Sequence, residues 1–283
     1  MGKVKRFPTA SRQSRLISLT IGALCLIPST LGMLAGTFGW LPHNPMAFVG
    51  EPNAPSSAEF FLGCDALGRD LFSRLGAASA YFTPPGALAM GVALFVGGVL
   101  GVAESLGGKI WGAITYWLLQ VLDSLPKFVL VLLVASIARS NLVWIMTAVG
   151  VTFAPQIAGA IRSSVERLRM ASFIEAERCL GVSMARIVFV HILWGHARRV
   201  ILAQLMSLMA YALLVETSLS YLGGELGVQE PTPSWGNMIS LARDGVFTGH
   251  LMQAFLPALM ISVTLVGFTL VGQGLLSVVE ERG

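Results

Sequence analysis

The chain has 283 residues, of which 54% are hydrophobic and 12% charged, and its mean hydropathy is +0.73. Because soluble domains carry about 25% charged residues, this composition excludes a soluble globular protein and indicates an integral membrane protein. The formal net charge of +4 comes mainly from basic clusters beside apolar segments, so it does not indicate nucleic-acid binding.

Six apolar segments are long enough to cross about 30 Å of hydrocarbon. They lie at residues 16–40, 84–106, 112–138, 142–161, 198–220 and 254–278. The first is long enough to span and lacks a convincing small-x-small cleavage site, so we predict a retained helix rather than a signal peptide. The sequence therefore predicts an all-α protein with six transmembrane helices.

Prolines mark where the predicted helices begin or bend. Pro84 and Pro85 suit the start of the second span, because their missing N–H groups cost little in a first helical turn. The third span is interrupted by Asp123 and Pro126, so we predict a kink at that point.

The distribution of lysine and arginine predicts the orientation of the chain. Fourteen basic residues lie on one side: Lys3, Lys5, Arg6, Arg12, Arg15, Lys109, Arg162, Arg167, Arg169, Arg178, Arg186, Arg198, Arg199 and Arg282. Four lie on the other side: Arg69, Arg74, Arg139 and Arg243. This asymmetry predicts a cytoplasmic N-terminal tail (1–15), C-terminus (279–283) and loop (162–197). Segments 41–83 and 221–253 are then outside, and residues 84–278 form a five-helix core.

A charged segment broken by glycine, residues 173–194, lies between the fourth and fifth spans. Gly181 suits the left-handed conformation that ends a helix, because it has no Cβ to clash. Ser183 can then cap a second helix that begins near Met184. We therefore predict two helices joined at a glycine corner on the cytoplasmic side.

In this segment the order Glu-Ala-x4-Gly-x9-His-Ile-Leu resembles the EAA loop of permease subunits from ATP-binding-cassette (ABC) importers. In that family the loop forms a coupling helix that docks on the cytoplasmic ATPase. The resemblance implies ATPase-coupling roles for Glu175, Ala176, Glu177, Gly181 and Arg186. The chain departs from the family pattern at Glu177, where alanine is expected, and at Trp194, where proline is expected. The residues alone also suit a basic interfacial helix pair in another membrane protein.

Residues 62–75 read LGCDALGRDLFSRL, which closely resembles the LGTDxLGRDxxSRL signature of the dipeptide, oligopeptide and nickel importer branch. Asp65 is a suitable N-cap, and Arg69 four residues later can pair with it. Asp70 and Arg74 repeat that spacing. A solvated interfacial helix within 41–83 would show the same pairs, so only the ordered string is specific.

A third motif follows the fifth span, where LSYLG (219–223) and GVQEPTPSWGNM (227–238) resemble the LSFLGLGVQxPTPSWGxM string of the same branch. Prolines and flanking glycines favour a rigid, non-helical excursion, which must be buried or line a wet cavity if it lies near membrane depth. Trp235 by itself is more typical of an interfacial anchor. The candidates for a periplasmic gate or binding-protein contact are Asp65, Arg69, Asp70, Pro231, Pro233 and Trp235.

The three motifs together cover about residues 60–278 and resemble the dipeptide-permease C type. The resemblance implies a type I importer permease fold in a bacterial inner membrane, with the first helix wrapping a partner. The implied partners are a homologous second permease, two cytoplasmic ATPases and a periplasmic or lipid-anchored solute-binding protein. The implied cargo is a short peptide. Nickel, a metal chelate or an antimicrobial peptide is an alternative within the branch.

Ionisable residues inside the predicted spans are candidates for the translocation path. Asp123 lies near the middle of the third span, where a charge is costly and usually faces a cavity or a partner. Lys127 can meet it across one helical turn. A self-satisfied ion pair and a lining role are equally compatible with these two residues. Glu216, in the fifth span, either faces the path or accepts backbone amides from the following turn.

The sequence lacks the motifs of the main catalytic classes. It contains no Gly-x4-Gly-Lys-Ser/Thr, no histidine pair with zinc-site spacing and no Gly-x-Ser-x-Gly elbow, and its three cysteines are scattered. We predict a non-catalytic subunit without a cofactor or metal, whose partners bind ATP and magnesium. A self-sufficient secondary transporter or channel is the alternative class, but it would need repeated broken helices, and only one interruption is visible. A membrane enzyme is less favoured still.

Overall fold

The computed structural model describes residues 12–169 and 197–280, together with Ser183, Arg186, Trp194 and Gly195. Nine helices occur in these ranges: α1 (Arg12–Phe38), α2 (Leu71–Leu106), α3 (Gly108–Ser124), α4 (Lys127–Ala138), α5 (Leu142–Arg169), α6 (Arg198–Leu222), α7 (Trp235–Leu241), α8 (Arg243–Phe247) and α9 (Met252–Glu280). Helices α1, α2, α5, α6 and α9 are each long and apolar enough to cross a membrane. The described helices therefore give five spans, or six where the bent pair α3–α4 is counted as one broken span, and the predicted all-α fold is confirmed.

Helix α2 begins much earlier than the span predicted at residue 84. Asp70 caps it by accepting a hydrogen bond from the Ser73 backbone N–H at 3.0 Å. Pro84 and Pro85 therefore lie inside the helix, and the interfacial helix expected within 41–83 is the first part of α2. Residues 71–83 are mostly apolar, so the difference arises because the prediction places Pro84 and Pro85 at the start of the helix, whereas they lie inside it.

The predicted kink at Pro126 is present as a complete break between two helices. Leu125 and Pro126 are extended, and the axes of α3 and α4 differ by 81°. A proline lacks the N–H that would continue the helix and disfavours the helical conformation at the residue before it. The break therefore follows directly from the sequence.

Helices α2 and α5 pack through small residues, and their contact forms the centre of the bundle. The facing positions recur every four residues: Ala89, Ala93, Gly97 and Gly101 on α2, and Gly150, Ala154 and Ala158 on α5. A Cβ added at Gly97 would lie 2.6 Å from the Ala154 carbonyl oxygen. Helices in lipid associate largely through such close backbone packing, because lipid is as apolar as their side chains.

We expect Gly97→Leu to destabilise the bundle by about 1–3 kcal/mol or more, since α2 and α5 would have to separate to admit the side chain. The matched control is Gly98→Leu, because a Cβ added at Gly98 would meet no atom within 4 Å. Thermal unfolding of the two purified variants in detergent measures the difference. Equal melting temperatures would contradict this packing.

Helix α1 lies against α2 and α9 of its own chain. A Cβ added at Gly267 would lie 2.8 Å from the Leu26 side chain, and one at Gly36 would lie 2.8 Å from the Ala80 Cβ. The opposite face of α1 exposes large apolar residues such as Leu24 and Leu31. Wrapping of a partner subunit by α1 would use that opposite face and stays a prediction.

Candidate functional site

Two non-helical segments, residues 39–70 and 223–234, lie together at one end of the bundle, which we call the loop end. Direct contacts join the two segments to each other and to the starts of α2 and α7. Five of the six predicted gate or binding-protein residues lie in these two segments, and the sixth, Trp235, begins α7 beside them.

Four charged side chains hold the two loop segments together, and we call them the ionic clamp: Asp65, Arg69, Arg74 and Glu230. The Arg69 Nε donates to Asp65 Oδ2 at 2.7 Å, and a second Arg69 nitrogen donates to Glu230. Nη2 of Arg74 donates to Glu230 Oε1 at 3.0 Å and to its Oε2 at 3.2 Å. The Arg69 and Arg74 side chains are 1% and 0% exposed. Two buried cations with two carboxylates balance in charge, which such burial requires.

The clamp extends to backbone acceptors in both segments. Nη1 of Arg74 donates to the Pro45 carbonyl at 3.0 Å and to the Pro231 carbonyl at 3.3 Å. Pro233, two residues later, is buried. One guanidinium therefore contacts the first loop segment, the second loop segment and the Glu230 carboxylate.

The two acid–base pairs predicted from the first motif have different outcomes. Arg69 pairs with Asp65, as its spacing predicts. Arg74 turns to Asp65 and Glu230 instead of Asp70, because the Asp70 carboxylate caps α2. The Oδ2 atom of Asp70 accepts the Ser73 N–H and hydroxyl groups at the start of α2, whereas its Oδ1 is buried without a hydrogen-bond partner among the described residues.

Asp65 is not the N-cap of a helix, contrary to the prediction. Its Oδ1 accepts the backbone N–H groups of Leu67 at 2.9 Å and Arg69 at 3.0 Å, which closes a turn before α2. Asp70 also lies 3.4 Å from His43 Nδ1. Both aspartates thus order the approach to α2, and both are buried rather than solvated.

Trp235 is buried at the start of α7 and is not an interfacial anchor. Its side chain is 2% exposed, and Nε1 donates to the Leu75 carbonyl on α2 at 3.1 Å. Ser234 and Asn237 form a capping box that starts α7 at this residue. The indole therefore fixes the second loop segment against α2.

Glu216 supports the second loop segment from the end of α6. Its Oε1 accepts hydrogen bonds from the Ser234 hydroxyl at 2.7 Å and the Ser220 hydroxyl at 2.8 Å. The Ser220 oxygen accepts the Val228 N–H at 2.9 Å. Glu216 therefore accepts hydrogen bonds from two hydroxyl groups, and not from the backbone amides that were one of its two predicted roles. The residue is buried, and its role in the translocation path stays a prediction.

The start of α9 also joins the loop end. Nε2 of Gln253 donates to Asn53 Oδ1 at 2.9 Å and to the Cys64 carbonyl at 3.0 Å. Burial raises the pKa of the Cys64 thiol above its ordinary value, and the carboxylates of Asp70 and Asp65 raise it further. The thiol is therefore neutral at physiological pH.

The α3–α4 break contains the other predicted pair, Asp123 and Lys127. The Lys127 ammonium lies 3.3 Å from Asp123 Oδ1, and the Gln156 side chain on α5 donates to the same oxygen at 3.0 Å. Lys127 Nζ lies 5.4 Å from the centroid of the Phe153 ring. The side chains of Asp123 and Lys127 are 46% and 25% exposed, whereas the two arginines of the clamp are buried.

A polar face of α5 runs from this break towards the opposite end of the bundle. Gln156, Gly159, Ser163 and Glu166 recur at intervals of three and four residues, so they share one side of the helix. All four are partly or fully exposed, and a Cβ added at Gly159 would meet no atom within 4 Å. The second half of α5 therefore carries three polar side chains on one exposed side, although the first half exposes apolar residues such as Trp144.

The predicted coupling residues Glu175, Ala176, Glu177 and Gly181 lie outside the described residues. Arg186 is described and exposed, and its backbone N–H lies 3.4 Å from the Ser183 hydroxyl oxygen. Their coupling roles stay predictions. Among the described residues, no group of three or more histidine, cysteine or acidic side chains is placed to hold a metal ion.

Sequence reasoning missed three residues that complete these sites. Glu230 occupies a position that the third motif leaves variable, so the motif gave no signal for the clamp. Gln156 and Phe153 lie in an apolar span and carry no pattern of their own. The only signal for Glu230 was chemical, since two arginines in an outer segment need more than one nearby carboxylate if they are buried.

These features define a multi-pass helical membrane component with a structured loop end. Residues 75–282 match the family described as "Binding-protein-dependent transport system inner membrane component". The chain is 32% identical over 236 residues to the glutathione transport system permease protein GsiD of Escherichia coli O157:H7 and of Shigella sonnei, covering 81% of this chain and 74% of each relative. It is 31% identical over 229 residues to that of Pectobacterium atrosepticum, with the same coverage. The chain therefore belongs to this family of inner-membrane transport components, which confirms the predicted resemblance.

Proposed function

We propose that the chain is the permease subunit of an ATP-driven importer for short peptides. The observation that carries this proposal is the family match over residues 75–282, together with relatives whose name assigns them to glutathione transport. Glutathione is itself a short peptide. Uptake of nickel, a metal chelate or an antimicrobial peptide by the same machinery is the alternative.

In our proposal, the permease works with a homologous second permease, two cytoplasmic ATPases and a solute-binding protein. ATP hydrolysis belongs to the ATPase partners, which also bind magnesium. The spans of the two permeases enclose a cavity that opens alternately to each side. The exposed polar face of α5 supports this arrangement, because a polar helix face is costly against lipid and suits a shared aqueous path.

The loop end faces outwards in this proposal, and both termini are cytoplasmic. The excess of basic residues in the N-terminal tail and in 162–199 supports this orientation. The ionic clamp, whose arginines are buried, and the buried Trp235 then hold the two loop segments in place beneath the outer surface on which a loaded binding protein docks. The α3–α4 break and the α5 face lie below that surface and line the path.

ATPase coupling runs through residues 173–194. We expect Glu175→Lys to abolish most transport, since it reverses a charge in the motif that docks on the ATPase. The purified binding protein should still capture its substrate, because the change lies on the other side of the membrane. Uptake by cells and ligand binding by the isolated binding protein measure the two steps. Unchanged uptake would remove the coupling role.

The direct test of the proposed function is uptake of labelled trialanine, and separately of labelled nickel, by cells that have or lack the gene for this chain, with unlabelled nickel and a nickel chelate as competitors of the peptide. We expect that trialanine uptake depends on the chain and is not reduced by nickel. Loss of nickel uptake instead of peptide uptake would favour the alternative cargo. If neither peptide uptake nor nickel uptake depended on the chain, the importer proposal would be overturned for both cargoes.

A further inference from the structure

The α3–α4 break brings two helix ends of opposite polarity beside two side chains of opposite charge. The end of α3, with its partial negative charge, carries Asp123, and the start of α4, with its partial positive charge, carries Lys127. Broken helices in membrane transport proteins use such ends to bind charged groups. The break thus has a negative half and a positive half.

Both side chains keep free hydrogen-bonding capacity. Lys127 and Gln156 both donate to Asp123 Oδ1, and no described residue donates to its Oδ2. The Lys127 ammonium has three N–H groups and uses one of them on Asp123. The Lys127 side chain is 25% exposed, whereas the two cations of the ionic clamp, Arg69 and Arg74, are 1% and 0% exposed.

The neighbouring residues hold the pair from one side only. Gln156 fixes the Asp123 carboxylate, and the Phe153 ring lies beneath the Lys127 ammonium. Tyr211 of α6 packs on Phe153, with ring centroids 5.1 Å apart. Gln156 also begins the exposed polar face of α5, and a Cβ added at Gly159 on that face would meet no atom within 4 Å.

We propose that this break binds both charged ends of a zwitterionic peptide as it crosses the membrane. Asp123 pairs with the α-ammonium group of the peptide instead of with Lys127. Lys127 pairs with the α-carboxylate instead of with Asp123. The flexible four-carbon stem of lysine lets the two groups separate to admit a peptide. The permease would then select for free peptide ends in addition to the selection made by the binding protein. This inference rests on the proposed function as a peptide importer.

The test uses the complete complex in proteoliposomes with its binding protein. The probes are trialanine, its C-terminal amide and its N-acetyl form, each at a concentration that saturates the binding protein. The variants are Lys127→Met and Asp123→Asn. Ser136→Ala is the control, because Ser136 is exposed on α4 and bonds only to its own helix at the Leu132 carbonyl.

We expect Lys127→Met to reduce uptake of trialanine by about tenfold or more while uptake of the amide is unchanged. Asp123→Asn should reduce uptake of trialanine but not of the N-acetyl form. Equal losses for all three probes would assign the pair a structural role and overturn the inference, as would wild-type uptake in both variants. Failure of the wild-type complex to take up any probe would overturn the proposed function instead, and this inference with it.

Discussion

Glu230→Gln should destabilise the protein by about 3 kcal/mol, because it leaves two buried guanidiniums with only the Asp65 carboxylate. Breaking a buried ion pair costs about 3–5 kcal/mol. The lower end applies here, since the Glu230 side chain is 37% exposed and water can replace part of its interaction. Thermal unfolding of the purified chain in detergent measures the loss.

The control for this change is Glu225→Gln, which removes an exposed carboxylate from the same loop segment. The double variant Arg74→Met with Glu230→Gln should recover part of the lost stability, because removing one arginine lowers the unbalanced positive charge. Equal stability of the Glu230 and Glu225 variants would show that the ionic clamp does not hold the loop end.

Gly236→Ala should be at least as disruptive, although it adds a single methyl group. The new Cβ would lie 2.1 Å from the Thr217 carbonyl oxygen, and no side-chain rotation can relieve a clash with backbone. Helix α7 would have to move away from α6, which would take Trp235 from its position against α2. We expect a cost of about 3 kcal/mol or more and loss of transport.

Gly245→Ala provides the matched control, because the nearest atom to its added Cβ is 3.4 Å away on the flexible Gln253 side chain. Both variants change one glycine to alanine in the helices that follow the second loop segment. Thermal unfolding and peptide uptake should separate them clearly. Wild-type behaviour of Gly236→Ala would mean that α7 does not pack on α6 as described.

The fold was largely predictable because hydrophobic length determines membrane spans. The exception was the start of α2, where Pro84 and Pro85 suggested a first helical turn and so left residues 71–83 in the outer segment. Asp70 gave a usable signal as an N-cap, but Asp65 offered the same signal five residues earlier. The choice between them depends on contacts with the rest of the loop end.

The ionic clamp was predictable only in part. Local spacing identified the Asp65–Arg69 pair, since both residues lie within one turn of each other. The Glu230 contacts join residues about 160 positions apart along the chain. No periodicity links such distant positions, so the closing contact needed the folded structure.

The α3–α4 break was also predictable only in part. Pro126 predicted an interruption, and the four-residue spacing predicted a contact between Asp123 and Lys127 on one helix face, whereas the contact forms across the break between two helices. The sequence did not predict that the two helices would diverge by 81°, nor that Gln156 would anchor one side of the pair. Those features depend on how α5 packs beside the break.

Purification of the tagged chain from its native host in mild detergent tests the central claim most directly. Mass spectrometry identifies the proteins that come with it, and ATP hydrolysis is measured with and without the binding protein. We expect a homologous permease, two ATPases and hydrolysis that the loaded binding protein stimulates. Recovery of the chain alone, with no ATPase activity, would contradict the assignment as an importer subunit and would favour a self-sufficient channel or transporter.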